Sequence, residues 1–179
     1  MKTLIKNKRE LLGVFKKDIK EIFKNNLIFA FLCGSVAKNE FSKKSDVDIF
    51  VCLRKQDIMV LKKFNIWYRQ INKNYNFLYD KQYPGEIVSL NNLNLKLKSI
   101  SLVTPQFNVK KNNIYDGIVW SGMLSGKYIA FVGDKIEFLK KRKVAKKIVK
   151  LWKEKLLKNL KTLPADIALK YLIKFTNKN

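Results

Sequence analysis

Apolar residues in the first part of the chain recur at helical spacing. Leu11, Phe15, Ile19 and Phe23 step by four, Leu12 and Ile22 widen the stripe, and lysines fill the other face. That pattern predicts an amphipathic helix over 4–24, ended by Asn25-Asn26. Leu27–Leu32 then runs continuously apolar over a strand's length, the mark of a buried central strand. A polar linker, 36–45, with room for a short helical turn, separates it from a second buried strand, Asp48–Leu53. Asp57 is placed to cap a helix running to about Ile71. Its apolar face would hold Ile58, Leu61, Phe64, Tyr68 and Ile71, with Trp67 beside it.

Asn76–Asp80 reads as a third strand, and Pro84-Gly85 breaks whatever precedes it. Residues 90–103 fit two periods. Leu93, Leu95 and Leu97 alternate as in a strand, while Leu90, Leu93, Leu97 and Ile100 fit a helix, and a helix starting near Ser89 is preferred. Thr104-Pro105 and the polar residues to Asn113 form a connector, which divides the chain into 1–104 and a mainly helical 105–179, packed on the first part. Within the latter, Ile114–Leu124 reads as a helix ended by Gly126, and Tyr128–Val132 as a short strand before a Gly133-Asp134 turn. A long basic helix follows, with Val144, Ile148, Trp152, Leu156 and Leu160 as its stripe. Past Pro164, Ala165–Phe175 makes a last short helix. The fold class expected is α/β, a small mixed sheet flanked by helices, with a helical basic C-terminal part.

Composition narrows the chemistry. The 179 residues include no histidine, which excludes histidine bases, histidine-ligated zinc and histidine-containing triads. Catalysis must then run on carboxylates, hydroxyls, lysines and bound metal. The two cysteines, Cys33 and Cys52, end the two predicted buried strands and read as ordinary buried thiols. No apolar run approaches the roughly 18 residues of a membrane span. The N-terminal stretch is interrupted by charge every few residues, unlike a signal peptide, so the expected location is the cytoplasm. With 38 basic and 14 acidic side chains the net charge is +24, a field that attracts polyanions such as nucleic acid. A lysine-, asparagine- and isoleucine-rich composition accounts for the same excess without any binding role.

One stretch joins the two predicted buried strands, Cys33-Gly34-Ser35-Val36-Ala37-Lys38-Asn39-Glu40-Phe41-Ser42-Lys43-Lys44-Ser45-Asp46-Val47-Asp48. Residues two apart on a strand point the same way, so Asp46 and Asp48 project together. Two carboxylates held so close repel unless a cation lies between them, and hard oxygen ligands suit magnesium. Gly34-Ser35 offers small residues and backbone N–H groups ahead of a helical turn, which suits a phosphate. A phosphate cradle beside a metal-binding carboxylate pair points to phosphoryl or nucleotidyl transfer.

Gly34-Ser35, ten residues, then Asp46-Val47-Asp48 resembles the motif of the DNA polymerase β-like nucleotidyltransferase superfamily, in its minimal nucleotidyltransferase form. Val36-Ala37 and Ser45 are similar to that family as well. Lys38-Asn39 departs from it, since Arg-Gly often follows the alanine there; the charge is kept and the glycine lost. The resemblance is specific over 27–53 and extends to about residue 83. It implies an NTP co-substrate, ATP by default, two Mg2+ ions on Asp46, Asp48 and a third carboxylate, and phosphate contacts from Gly34, Ser35 and Lys38. Two residues compete for the third carboxylate. Asp80 follows the apolar lead-in Phe77-Leu78-Tyr79 and is preferred; Glu86 takes the role if Pro84-Gly85 restarts the strand.

The function expected is transfer of a nucleoside monophosphate to a hydroxyl, with RNA of tRNA type slightly preferred as acceptor. The alternatives are a small molecule or a protein as acceptor, or an inactive module of this fold that binds RNA or a partner protein.

Overall fold

In the computed structural model the described residues are 2–40, 47–75, 85–102 and 114–158. The later part of the expected 36–45 linker (41–45), the strand 76–80 and the helix 165–175 lie outside them. Helix α1 (Lys2–Phe23) and a 3-10 turn (Lys24–Asn26) lead into β1 (Leu27–Leu32), followed by the short helix α2 (Gly34–Lys38) and β2 (Ile49–Leu53). Then come α3 (Ile58–Asn74), β3 (Glu86–Ser89), α4 (Leu90–Leu102), α5 (Ile114–Ser125), β4 (Ile129–Gly133) and α6 (Lys135–Lys158). Among the described residues no helix is long and apolar enough to cross a membrane.

The strands form one mixed sheet in the order β3-β2-β1-β4. β1 is antiparallel to both its neighbours, while β2 and β3, joined through α3, are parallel. This is the α/β class expected, a mixed sheet with helices. The chain divides into two compact units, Met1–Leu90 with Lys127–Lys135, and Asn91–Gly126 with Ile136–Asn179. β4 therefore belongs with the sheet although two helices separate it from β3 in sequence.

In the first unit, alternation along the strands gives the sheet two distinct faces. Ala30, Leu32, Ile49, Val51 and Leu53 form one core with Leu11, Phe15, Ile19 and Phe23 of α1 and Phe64, Trp67, Tyr68 and Ile71 of α3. The helices meet through aromatic pairs, Phe15–Trp67 at 6.2 Å and Phe23–Phe64 at 5.7 Å between ring centroids. Trp67 Nε1 also donates to Asp18 Oδ2 at 2.7 Å. Nearby, the Tyr75 phenol is pushed above its ordinary value by burial, then by the charges of Glu10 and Asp18. The opposite face carries Phe29, Phe31 and Phe50, all buried and stacked, with Phe31 and Phe50 5.2 Å apart.

The asparagines that end α1 have a second task. Asn26 accepts from the Lys55 N–H at 3.1 Å and donates to the Lys55 carbonyl at 2.8 Å, tying the turn before β1 to the end of β2. The α3 cap is as expected, with Asp57 Oδ1 accepting from Met59 N–H at 2.8 Å and Val60 N–H at 3.4 Å. The apolar stripe differs. Ile58 is 72% exposed, and Trp67 is buried within the stripe rather than beside it. At about 100° per residue Ile58 falls well off the arc shared by Phe64, Trp67, Tyr68 and Ile71. The helix also runs three residues beyond the expected Ile71, to Asn74.

The second unit settles the ambiguity over 90–103. Leu93 and Leu97 are buried while Leu95 is 58% exposed, which is a helix's pattern and not a strand's. In α6 the buried positions are Phe138, Ala145, Ile148 and Val149, and Val144, expected in the stripe, is exposed. Four-residue steps drift about 40° each around a helix of 3.6 residues per turn, so a stripe that starts at Val144 cannot stay on one face. The Trp152, Leu156 and Leu160 side chains lie outside the described residues. Arg142 donates to the carbonyls of Leu124 and Gly126 at 2.7 and 2.8 Å, satisfying groups left open at the end of α5.

Replacing Asp57 by alanine removes both capping bonds and should lower unfolding free energy by about 1 kcal/mol. Urea denaturation followed by circular dichroism measures this, and an unchanged midpoint would contradict it.

Candidate active site

The β1–β2 pair builds the site. The last ladder pair is Leu32↔Ile49, and one step further the Cys33 N–H donates to the Asp48 carbonyl at 2.9 Å. The Cys33 thiol lies 3.6 Å from the same oxygen, so this cysteine is a buried structural thiol, as expected. Asp48 is thereby held at the mouth of β2, opposite the turn where β1 ends.

The next residue, Gly34, has φ +64°, in the left-handed region. A Cβ there would stand 1.6 Å from Asp48 Oδ2. The glycine is required twice, by its backbone conformation and by the carboxylate against its Cα. Gly34 also begins α2, whose first-turn N–H groups have no carbonyl one turn earlier to bond. Beside them the Ser35 hydroxyl is buried with no hydrogen-bond partner. A buried hydroxyl without a partner is costly, and a ligand oxygen would satisfy it.

The departure at Lys38-Asn39 has a structural account. Asn39 ends α2 with φ 63° and ψ 19°, a left-handed conformation in which glycine is favoured and asparagine is the usual second choice. Its Oδ1 accepts from Lys8 Nζ of α1. The turn therefore keeps its shape without the glycine.

Glu86 is the first residue of β3 and pairs with Phe50 in the parallel ladder. Asp48 precedes Phe50 by two residues, so Asp48, Phe50 and Glu86 share one sheet face, the one turned away from α1 and α3. Gly85, at φ +110°, lets the chain enter β3 close against Ile49. The described strand beside β2 thus starts after Pro84-Gly85. Asp46, Ser45 and Asp80 lie outside the described residues. Among the described residues no three His, Cys, Asp or Glu side chains gather around one point. The feature missed by the sequence reading is Tyr68, whose hydroxyl donates to the Val47 carbonyl at 3.1 Å. As an aromatic on a helical stripe it reads simply as core.

A mixed sheet with a Gly-Ser turn set against an aspartate at the start of the next strand is the arrangement of a nucleotidyltransferase. Residues 17–104 match the family model "Polymerase beta, Nucleotidyltransferase". A putative protein adenylyltransferase of Methanocaldococcus jannaschii is 32% identical over 71 residues, covering 40% of this chain and 69% of that protein. The chain belongs to the DNA polymerase β-like nucleotidyltransferases. No solved structure matches it.

The Asn39 turn is testable by its backbone alone. Asn39→Gly and Asn39→Ala both lose the Lys8 contact, but only alanine resists positive φ, so the alanine variant should be less stable by about 1 kcal/mol. Equal melting curves for the two variants would show that the turn relaxes out of this conformation.

Proposed function

We propose that this protein is a metal-dependent nucleotidyltransferase, moving a nucleoside monophosphate from an NTP, ATP by default, to an acceptor hydroxyl with release of pyrophosphate. The observation that supports this most is the Asp48 carboxylate seated against the bare Cα of Gly34, beside the buried and unpartnered Ser35 hydroxyl. A carboxylate set against the turn and an unsatisfied hydroxyl within it fit a triphosphate and the cation that accompanies it.

In this reading the α2 N–H groups and the Ser35 hydroxyl hold the β,γ-phosphates, and Lys38, half-buried on the same helix, adds positive charge. Asp46 and Asp48, with a third carboxylate, would hold Mg2+, two ions by the family's pattern. Bound there, the metal would neutralise the triphosphate and lower the pKa of the acceptor hydroxyl. Our choice for the third carboxylate is Glu86, on the strength of its register in β3, with Asp80 the alternative. Glu86 receives the proton of the attacking hydroxyl as the new bond to the α-phosphorus forms and the α,β-bridging bond breaks. Most of the rate would come from positioning and charge, as is usual for phosphoryl chemistry.

For the acceptor we favour a protein hydroxyl, because the M. jannaschii relative carries the name of a protein adenylyltransferase. RNA is the second reading, supported by the +24 charge and by Lys140, Lys143, Lys146, Lys147 and Lys150, all exposed on α6.

Asp48→Asn should keep the fold and lose transfer about a thousandfold, since a metal ligand contributes several kcal/mol in the transition state. Substantial turnover by that variant would refute the metal site. Glu86→Gln should cost far more than Asp80→Asn, and the reverse ranking would move the third role to Asp80.

α-Labelled NTPs offered with cell protein, total RNA and small hydroxylated metabolites identify the acceptor. Label on protein is expected. Label on RNA, with affinity falling steeply as salt rises and flattened by changing Lys146, Lys147 and Lys150 to glutamine, would establish the second reading. No label on any acceptor would leave an inactive binding module.

A further inference from the structure

We propose that Tyr68 is a positioning residue for Asp48, a role that rests on the reading of Asp48 given above. Tyr68 lies wholly inside the core, its ring stacked on Phe64 with centroids 6.1 Å apart and its carbonyl accepting from Asn72 Nδ2 at 2.7 Å. Packing of that kind needs only a phenylalanine. The hydroxyl adds a polar atom that must be bonded once it is buried, and its bond is to the Val47 carbonyl at 3.1 Å.

Val47 is the residue between Asp46 and Asp48, and its own side chain is buried in the same core. Successive carbonyls of an extended chain point to opposite edges. The Asp48 carbonyl points towards β1, where Cys33 takes it. The Val47 carbonyl therefore points away from β1, towards the β3 side. There, among the described residues, the ladder begins at Phe50↔Glu86. The Tyr68 hydroxyl supplies a bond to that carbonyl.

The peptide plane entering Asp48 is thus held from the β3 side by Tyr68, and the plane leaving it is held from the β1 side by Cys33. Those two planes set the direction of the Asp48 side chain, which in turn lies against Gly34. α3 in this way acts on the Asp48 carboxylate through the backbone that carries it. Residues that orient metal ligands from behind typically change metal affinity by about 10- to 100-fold when altered.

The experiment compares the intact chain with Tyr68→Phe, Trp67→Phe and Asp48→Asn, each at a temperature where circular dichroism shows it fully folded. Trp67→Phe removes the neighbouring hydrogen bond of α3, which runs to Asp18 of α1 and not to β2. The probe is the Mn2+ complex of α,β-methylene-ATP, its affinity read from water-proton relaxation. Tyr68→Phe should weaken binding about tenfold, and Trp67→Phe should bind as the parent does. Asp48→Asn with binding lost, but Tyr68→Phe unchanged or Trp67→Phe equally weakened, would overturn the role of Tyr68 and leave the site standing. Unaltered binding by Asp48→Asn would overturn the site itself, and the role of Tyr68 with it.

Discussion

A single backbone hydrogen bond, Cys33 N–H to the Asp48 carbonyl, fixes the geometry of the candidate site. It carries the antiparallel ladder of β1 and β2 one step beyond its last paired residues, so the turn leaving one strand faces the residue entering the other. From that point the requirements follow in order. The residue after Cys33 must have no side chain, because a carboxylate fills the space, and it must accept positive φ to begin a helix at once. The residue after that carries a buried hydroxyl without a hydrogen-bond partner. Every one of these depends on strand register, and a slip of one residue would turn Asp48 to the helix side of the sheet.

Much of this arrangement could be read from the chain. The six apolar residues of β1 announced themselves, and the Gly-Ser turn and the Asp57 cap depend on local backbone needs that particular residues meet. What could not be read depends on contacts distant in sequence. Phe77-Leu78-Tyr79 read as the third strand and Glu86-Ile87-Val88 as the second choice, and only its pairing with Phe50 shows Glu86 opening a strand beside β2. Tyr68 gives no local sign that its hydroxyl meets Val47, because that depends on how α3 lies across β2. The α6 stripe was misplaced at Val144 for a different reason: counting in fours follows a helix wound more loosely than 3.6 residues per turn, and Phe138, outside that count, lies on the buried face. Asn39 looked like a defect in the motif until its backbone angles showed it doing a glycine's work.

The two faces of the sheet differ in what they carry. Towards α1 and α3 it presents aliphatic residues packed against aromatic rings, the well-filled interior expected of a small domain. On the other face the stacked phenylalanines of β1 and β2 adjoin Asp48 and Glu86 in the strand order. Flat stacked rings have few rotamers to change between, so the carboxylates of that face are set upon a stiff base. Tyr68 links these two sides by a hydrogen bond to the backbone between the aspartates.

The fourth strand has a consequence for how the molecule is made. β4 flanks β1 yet is encoded by residues 129–133, behind α4 and α5. During synthesis β1 is therefore available about a hundred residues before its second neighbour, with the edge of LIFAFL bare in the interval. An uncovered apolar edge of that kind is a template for pairing with another chain. The nascent protein is most exposed to aggregation while the ribosome translates the second unit, and a fragment cut at residue 104 would keep that open edge permanently.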